Sequence, residues 1–401
     1  MKAFIRKIRH SFYLTMVRAM TGLLPGSSHI AFIGPGSSRQ LGQHIAALSP
    51  RKVLIVTDKP LRELGVADTA AAGLLEAGVD CVWFDGVLPD PTYEQVDAGL
   101  AVLKQEDCDV LLAIGGGSVM DCAKLISACA TSDESPRDWV GPGKVKHDLL
   151  PIYAIPTTAG TGSEGTSGAV VKDSQTREKT VLSGAGMLPK ATALDASLMA
   201  GLPPHITAAT GMDALTHAIE AYIGVWERGT RLEDGRIAVK LVFKHLVNAY
   251  QDGGDQQARE GMAMAAYYGG MAINQVNVGN VHAIAHQVGG KYGIPHGLAN
   301  ALILPHVLEY CREEAQSRLA ELALVIGVGE AGEAEAQLAH KFIAAVRELR
   351  TEVGIPDRSD LIRREDHEAL ADAAIAEGMG YPVPRLLDEA STMAILSQIT
   401  D

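Results

Sequence analysis

The chain has 401 residues, 47% of them hydrophobic, which is more than one ordinary core serves, so two domains are expected. A formal net charge of -13 argues against a nucleic-acid partner, because phosphate contacts need clustered Lys and Arg, and favours a small molecule. Five scattered cysteines (Cys81, Cys108, Cys122, Cys129, Cys311) with no CxxC pair argue against a disulfide framework or a thiolate zinc site, and a reducing cytoplasm is expected. Residues 1–27 read as a basic N-terminal extension in which Lys2, Arg6, Lys7 and Arg9 precede short apolar runs. Those runs are too short for a secretory signal or a transmembrane span. An amphipathic helix is expected, with Ile5, Ile8, Phe12 and Met16 on one face. It would pack on its own protein or a neighbouring subunit, or make weak membrane-surface contact through residues 1–25.

From residue 28 to 202, apolar β-rich runs alternate with helical patterns, the signature of an α/β domain with a parallel sheet. The runs are His29 to Ile33, Lys52 to Thr57, Cys81 to Phe84, Asp109 to Ile114, Pro151 to Ile155 and Ala191 to Leu194. Beyond Pro203 and Pro204 the pattern is helical throughout, so residues 203–401 are expected to form an all-helical domain. Neither an internal repeat nor a low-complexity tract interrupts this organisation.

The strongest local signal in the first domain is Gly115-Gly116-Gly117-Ser118, set between a strand and the helix-like Val119-Met-Asp-Cys-Ala-Lys124. Glycines there let backbone N–H groups approach a diphosphate at a helix N-terminus. A tight βα turn that uses glycine for geometry alone is the alternative. Pro156-Thr-Thr-Ala-Gly-Thr-Gly-Ser-Glu164 crowds hydroxyls behind another strand, and these could reach ribose or phosphate. Asp58 ends the second run. It is either a ribose-binding carboxylate, which would favour NAD over NADP, or a helix N-cap.

In the second domain, Asp213 and His217 are four residues apart and share a helical face. His282 and His286 repeat the spacing, and His296 follows within a turn. Asp213, His217, His282 and His296 can converge as one carboxylate and three imidazoles, a set suited to Fe(II) or Zn(II). His205 and His306 read as structural.

Gly115-Gly-Gly-Ser-Val-Met-Asp-Cys-Ala-Lys124, Pro156-Thr-Thr-Ala-Gly-Thr161, Gly211-Met-Asp-Ala-Leu-Thr-His217 and His282-Ala-Ile-Ala-His286 with Pro295-His296-Gly297 together resemble the iron-containing, or group III, alcohol dehydrogenases. The similarity runs from about residue 28 to residue 400. The resemblance implies a Rossmann-like α/β N-terminal domain and an all-α C-terminal domain, the architecture shared with dehydroquinate synthase, with the active site in the cleft between them. It also implies homo-oligomers, commonly dimers. Carried over, it assigns Asp213, His217, His282 and His296 to the metal. To NAD it assigns Asp58, Gly117, Ser118, Thr157, Thr158, Thr161, Thr166 and Lys179. His286 would lie beside the nicotinamide as a proton relay, or else be a hydrogen-bonding neighbour of the ligands.

The chain departs from the family pattern in places. Asp90 stands where the family often has Asn in Pro-Asn-Pro-Thr, and Ile273 where an aromatic is common. Ser167-Gly168-Ala169 is small at a place that lines the pocket in relatives. A roomier pocket than in relatives acting on two- or three-carbon alcohols is therefore expected. The implied reaction is hydride transfer between a nicotinamide and an alcohol or aldehyde carbon whose oxygen a divalent ion polarises. A lyase or cyclase of the dehydroquinate synthase type is the rival, and it would want a basic pocket for a phosphorylated substrate.

Overall fold

The computed structural model describes residues 6, 9–16, 29–176, 178–226 and 231–401. Two compact units divide the chain: residues 26–202 with 253–270, and the N-terminal stretch with residues 203–252 and 271–401.

The first unit is built on a six-stranded parallel sheet of order β1-β8-β5-β4-β2-β3. Its strands are β1 (Ile30–Ile33), β2 (Val53–Val56), β3 (Cys81–Phe84), β4 (Val110–Gly115), β5 (Ile152–Pro156) and β8 (Ala191–Leu194). β2 and β4 are buried at every position, as central strands covered on both faces must be. Alternation divides their side chains between two cores. Val53, Ile55, Leu112 and Ile114 meet α1 (Ser37–Ala47) and a second covering helix, Val66–Glu76. Leu54, Val56, Leu111 and Ala113 meet helices Tyr93–Gln105 and Gly117–Ala130 on the other face. We number the helices of this unit α1, α2 (Lys59–Glu63), α3 (Val66–Glu76), α4 (Tyr93–Gln105) and α5 (Gly117–Ala130).

The connection from β2 runs outward to β3, whereas β4 leads the opposite way to β5 and β8. β2 and β4 therefore flank the switch point at which α/β sheets take their ligands. Asp58 directly follows β2, and Gly116, Gly117 and Ser118 directly follow β4.

A hairpin, β6 (Gly168–Lys172) with β7 (Lys179–Ser183), was not anticipated, because its short runs begin or end on Lys and Gly. It corrects one expectation. Ala169, read as lining the substrate pocket, is 2% exposed and sits in the apolar core with Val171 and Leu182.

In the second unit the helices are α6 (Pro204–Ile223), α7 (Arg231–Gln251), the end of α8 (Gln256–Val276), α9 (Asn280–Tyr292), α10 (His296–Tyr310), α11 (Gln316–Val325), α12 (Glu335–Glu352), α13 (His367–Gly378) and α14 (Glu389–Ile399). Among its described residues no strand forms, and Ser359 and Thr400 make only an isolated bridge. Residues 253–270, expected to lie wholly in the helical part, join the sheet unit, where the Gly270 and Gly162 backbones approach too closely for a Cβ on either.

Residues 9–16 are helical. The expected apolar face is turned outward where it is described: Phe12 is 72% exposed and Met16 45% exposed, while His10 and Leu14 are buried. Polar anchors set the rotation, because His10 Nε2 lies 2.8 Å from the Tyr381 carbonyl oxygen and the Arg6 guanidinium donates to the Leu387 carbonyl. Ile5 and Ile8 lie outside the described residues.

Two predictions follow from this packing. A Cβ on Gly73 would collide with the Arg39 carbonyl, so Gly73→Ala should force α3 from α1 and cost about 1–3 kcal/mol, read as a lowered urea midpoint. Burial, reinforced by Arg350, Arg347 and Arg358, pushes His306 down to about 4 from an ordinary 6.5. Between those values the unfolded chain binds the proton that the fold refuses, so stability is lost as pH falls from 6.5 towards 4. His306→Gln should lose less stability than the parent over that interval, measured by urea unfolding at pH 7 and pH 4.5.

Candidate metal centre and dinucleotide cradle

α6 is apolar nearly all round, and every residue from Gly211 to Ile223 is buried, as befits a central helix. Within that buried stretch the ionisable side chains Asp213, His217 and Glu220 fall on one face at helical spacing. α9 supplies His282 and α10 supplies His296 as its first residue. Gly297 explains how α10 starts so close, since a Cβ there would collide with the Ala209 carbonyl of α6 and lie 3.3 Å from Asp213 Cβ.

The four predicted ligands converge. One atom from each of Asp213, His217, His282 and His296 lies within 4.8 Å of the others. Asp213 Oδ1 is 3.8 Å from His217 Nε2, 3.9 Å from His282 Nε2 and 3.6 Å from His296 Nε2. These separations are too long for hydrogen bonds and suit atoms that share a central ion.

The charge state fits as well. Burial drives the His282 imidazole well below its ordinary value and His296 to about 3, so both stay neutral with a lone pair to donate. Burial alone would raise the Asp213 carboxyl, yet it lies below the ordinary range, and the Asn300 amide donates to it at 2.7 Å. Among the described residues, His217 Nδ1 and Asn300 Oδ1 are buried without a hydrogen-bond partner. A carboxylate with three imidazoles, His282 and His296 among them held neutral, fits iron(II) or zinc(II).

Glu220 was not singled out as functional from sequence. Its oxygens accept from His282 Nδ1 at 2.6 Å, from Val281 N at 2.6 Å and from Gly279 N at 2.8 Å. It thereby caps the start of α9, leaves Nε2 as the ligating nitrogen of His282, and leans on Gly279, where a Cβ would meet its oxygen at 2.8 Å. The available signal was its position three residues after His217, on the same buried face. Burial pushes its carboxyl up to about 7, against the pull of the two backbone N–H groups.

His286 lies one turn beyond His282. Its ring stacks on His296 at 5.4 Å between centroids and meets His282 edge-on at 5.7 Å. The structure thus brings His286 beside the ligand cluster. His205 is exposed and apart from it, and His306 bonds Gln398.

In the first unit, Gly116 and Gly117 open α5 with no side-chain cap, which leaves backbone N–H groups at the helix start. Thr158 packs over Gly116, and a Cβ on Gly117 would come within 2.6 Å of Thr161 Cγ2. Thr157 is buried, and its N–H bonds the Gly115 carbonyl. The Ser118 hydroxyl accepts from Asp90 N at 3.3 Å.

Asp58 takes up the capping role that was the alternative: one oxygen accepts from Leu61 N at 2.9 Å. Lys179 pairs with Asp90 at 2.6 Å. Thr166 is engaged inside the protein, where Lys124 Nζ donates to its hydroxyl at 3.1 Å, to Ser163 Oγ at 2.8 Å and to the Ser163 and Gly168 carbonyls. Lys124, lowered to about 8 by burial, is thus the buried post of the hydroxyl-rich loop.

Residues 28–196 match the family model of iron-containing alcohol dehydrogenases, and residues 207–400 match the C-terminal model of the Fe-containing alcohol dehydrogenase family. The chain is 39% identical over 374 residues to the 1,3-propanediol dehydrogenase of Klebsiella pneumoniae, covering 92% of this chain and 97% of that protein. It is 38% identical over 358 residues to an NAD-dependent methanol dehydrogenase of Bacillus methanolicus, covering 88% and 93%. The crystal structure of a 1,3-propanediol oxidoreductase is similar, with a TM-score of 0.89, 39% identity and coverage of 92% and 97%.

Glu220 carries the prediction of this section. Glu220→Ala should weaken Zn(II) binding about 10–100-fold, measured by competition with a chelator, because His282 loses the acceptor that orients it.

Proposed function

This chain belongs to the iron-containing alcohol dehydrogenase family, and on that premise we propose which of its residues perform the reaction. The protein is an oxidoreductase that interconverts alcohols and aldehydes with NAD(H) and a divalent metal. Asp213, His217, His282 and His296 hold the metal, and the convergence of one atom from each, within 4.8 Å of one another, is the observation that carries the reading. When bound, the nicotinamide supplies the hydride acceptor or donor, and the metal ion supplies an electrophile for the substrate oxygen.

The chain's own residues do the rest. Gly117 and Ser118 offer the start of α5 to a diphosphate, and Thr157, Thr158 and Thr161 line the loop beside it. Thr166 and Lys179 complete the cofactor side, Thr166 held by Lys124 and Lys179 paired with Asp90, whose N–H reaches the Ser118 hydroxyl. The other oxygen of Asp58 would accept from a ribose diol of the bound cofactor and repel a 2′-phosphate, which would favour NAD over NADP. His286 moves the alcohol proton away from the cluster, its ring lying beside His282 and His296 with one nitrogen able to accept.

Primary alcohols and diols are the substrates we infer, in line with the relatives' names. We infer a homodimer or higher homo-oligomer, as the family resemblance implies, and a reducing cytoplasm, in keeping with five free cysteines.

Protein stripped of metal and reloaded with Fe(II) or Zn(II) should reduce NAD with a panel of primary alcohols and diols. His282→Ala should lower kcat/KM by roughly 10³-fold or more, the equivalent of several kcal/mol of electrophilic stabilisation. Retained turnover in that variant would remove the metal from the reading. Asp58→Ala should shift the kcat/KM ratio towards NADP by about tenfold, through loss of the carboxylate's repulsion.

A further inference from the structure

Beside the ligand cluster, the His286 imidazole is held from behind by a group that no motif contains. Glu377, in the last turn of α13, places Oε1 2.6 Å from His286 Nδ1. The same oxygen accepts from the Tyr381 hydroxyl at 2.5 Å, and the other accepts from Gln287 Nε2 at 2.6 Å. Burial and the adjoining carboxylate hold the Tyr381 phenol well above its ordinary range, so it stays a donor. Tyr381 is itself fixed through its backbone, where the His10 ring meets its carbonyl oxygen at 2.8 Å. Three side-chain donors thus converge on one carboxylate, and that carboxylate faces one nitrogen of one imidazole.

An acceptor-only carboxylate at Nδ1 requires the proton to sit on that nitrogen, which leaves the lone pair on Nε2. We propose that Glu377 is a positioning residue for the alcohol dehydrogenase reaction, fixing the tautomer and orientation of His286 so that Nε2 is the nitrogen that accepts the alcohol proton. The proposal rests on the assignment of His286 as the proton relay. Tyr381 and Gln287 hold the carboxylate in place, so rotation of Glu377 away from the ring would break two further hydrogen bonds.

The test uses the full-length, Zn(II)-loaded enzyme and compares His286→Gln, Glu377→Gln, Glu377→Asp and Tyr381→Phe. The readouts are kcat, KM for alcohol and for NAD, bound metal, and the ¹⁵N-histidine spectrum, in which the His286 resonance is identified by its loss in His286→Gln. Glu377→Gln should lower kcat about 10–100-fold with KM for NAD and metal content within about twofold of the parent, as for other groups that orient a functional imidazole. The Nδ1-protonated signature of His286 should weaken with it, because an amide can donate to Nδ1 as well as accept.

Glu377→Asp should recover part of kcat. Tyr381→Phe, which removes one donor and leaves the fold's apolar contacts, should lose only about two- to fivefold, the size of one hydrogen bond to a held group. Wild-type kcat in Glu377→Gln beside a large loss in His286→Gln would overturn the proposal and leave the relay standing. Wild-type kcat in His286→Gln would overturn the relay, and the proposal with it. Parallel loss of metal, NAD affinity and kcat in Glu377→Gln would show a purely structural carboxylate, and would also overturn it.

Discussion

Burial of the Glu220 carboxylate is the constraint on which the second unit turns. An ionised group taken out of water is costly unless charge and hydrogen bonds replace its solvation. Here two backbone N–H groups at the start of α9 and the His282 imidazole replace it. The same three bonds begin the helix, align its first turn against α6, and turn one nitrogen of His282 towards Asp213. Helix capping, packing and ligand orientation are therefore one event. The glycines beside it follow from the same closeness: Gly279 makes room for the carboxylate, and Gly297 lets the start of α10 approach α6.

A comparable device organises the first unit with the opposite charge. Lys124 is fully buried, and its ammonium group is surrounded by two carbonyl oxygens and two hydroxyls from the Ser163–Gly168 loop. Asp121 completes the arrangement by accepting from Ser163 Oγ at 2.8 Å and from Val170 N at 2.9 Å. A buried cation so placed pulls the loop onto α5 and keeps Thr158 and Thr161 against the two glycines at its start. The glycines, which a reading by motif treats as space for a diphosphate, also serve the packing of these threonines. The Asp58 carboxylate shares its duties in the same way, capping α2 with one oxygen.

The six parallel strands were legible because each is a short apolar run between turn residues, and the helical unit because its periodicity is sustained. The β6–β7 hairpin was not legible. Its inward residues, Ala169, Val171 and Leu182, are few, and its ends are charged or glycine. The N-terminal stretch shows the same weakness of local pattern, for its rotation is decided by His10 and Arg6 bonding distant carbonyls rather than by its apolar residues.

The metal quartet was legible because Asp213 and His217, then His282 and His296, fall at short spacing in segments whose surroundings are largely apolar or glycine-rich, and such residues seldom enter a core without a partner. The sequence alone therefore determined the α/β and helical division, the glycine turn after β4 and the ligand types. Tertiary structure alone decided that Glu220 orients His282, that Lys124 holds the hydroxyl loop, and that Glu377, 91 positions from His286, faces its Nδ1. Periodicity reports which residues share a face, because that depends on local backbone geometry. Which distant carboxylate or amine meets that face depends on how the helices pack, and no spacing along the chain encodes it.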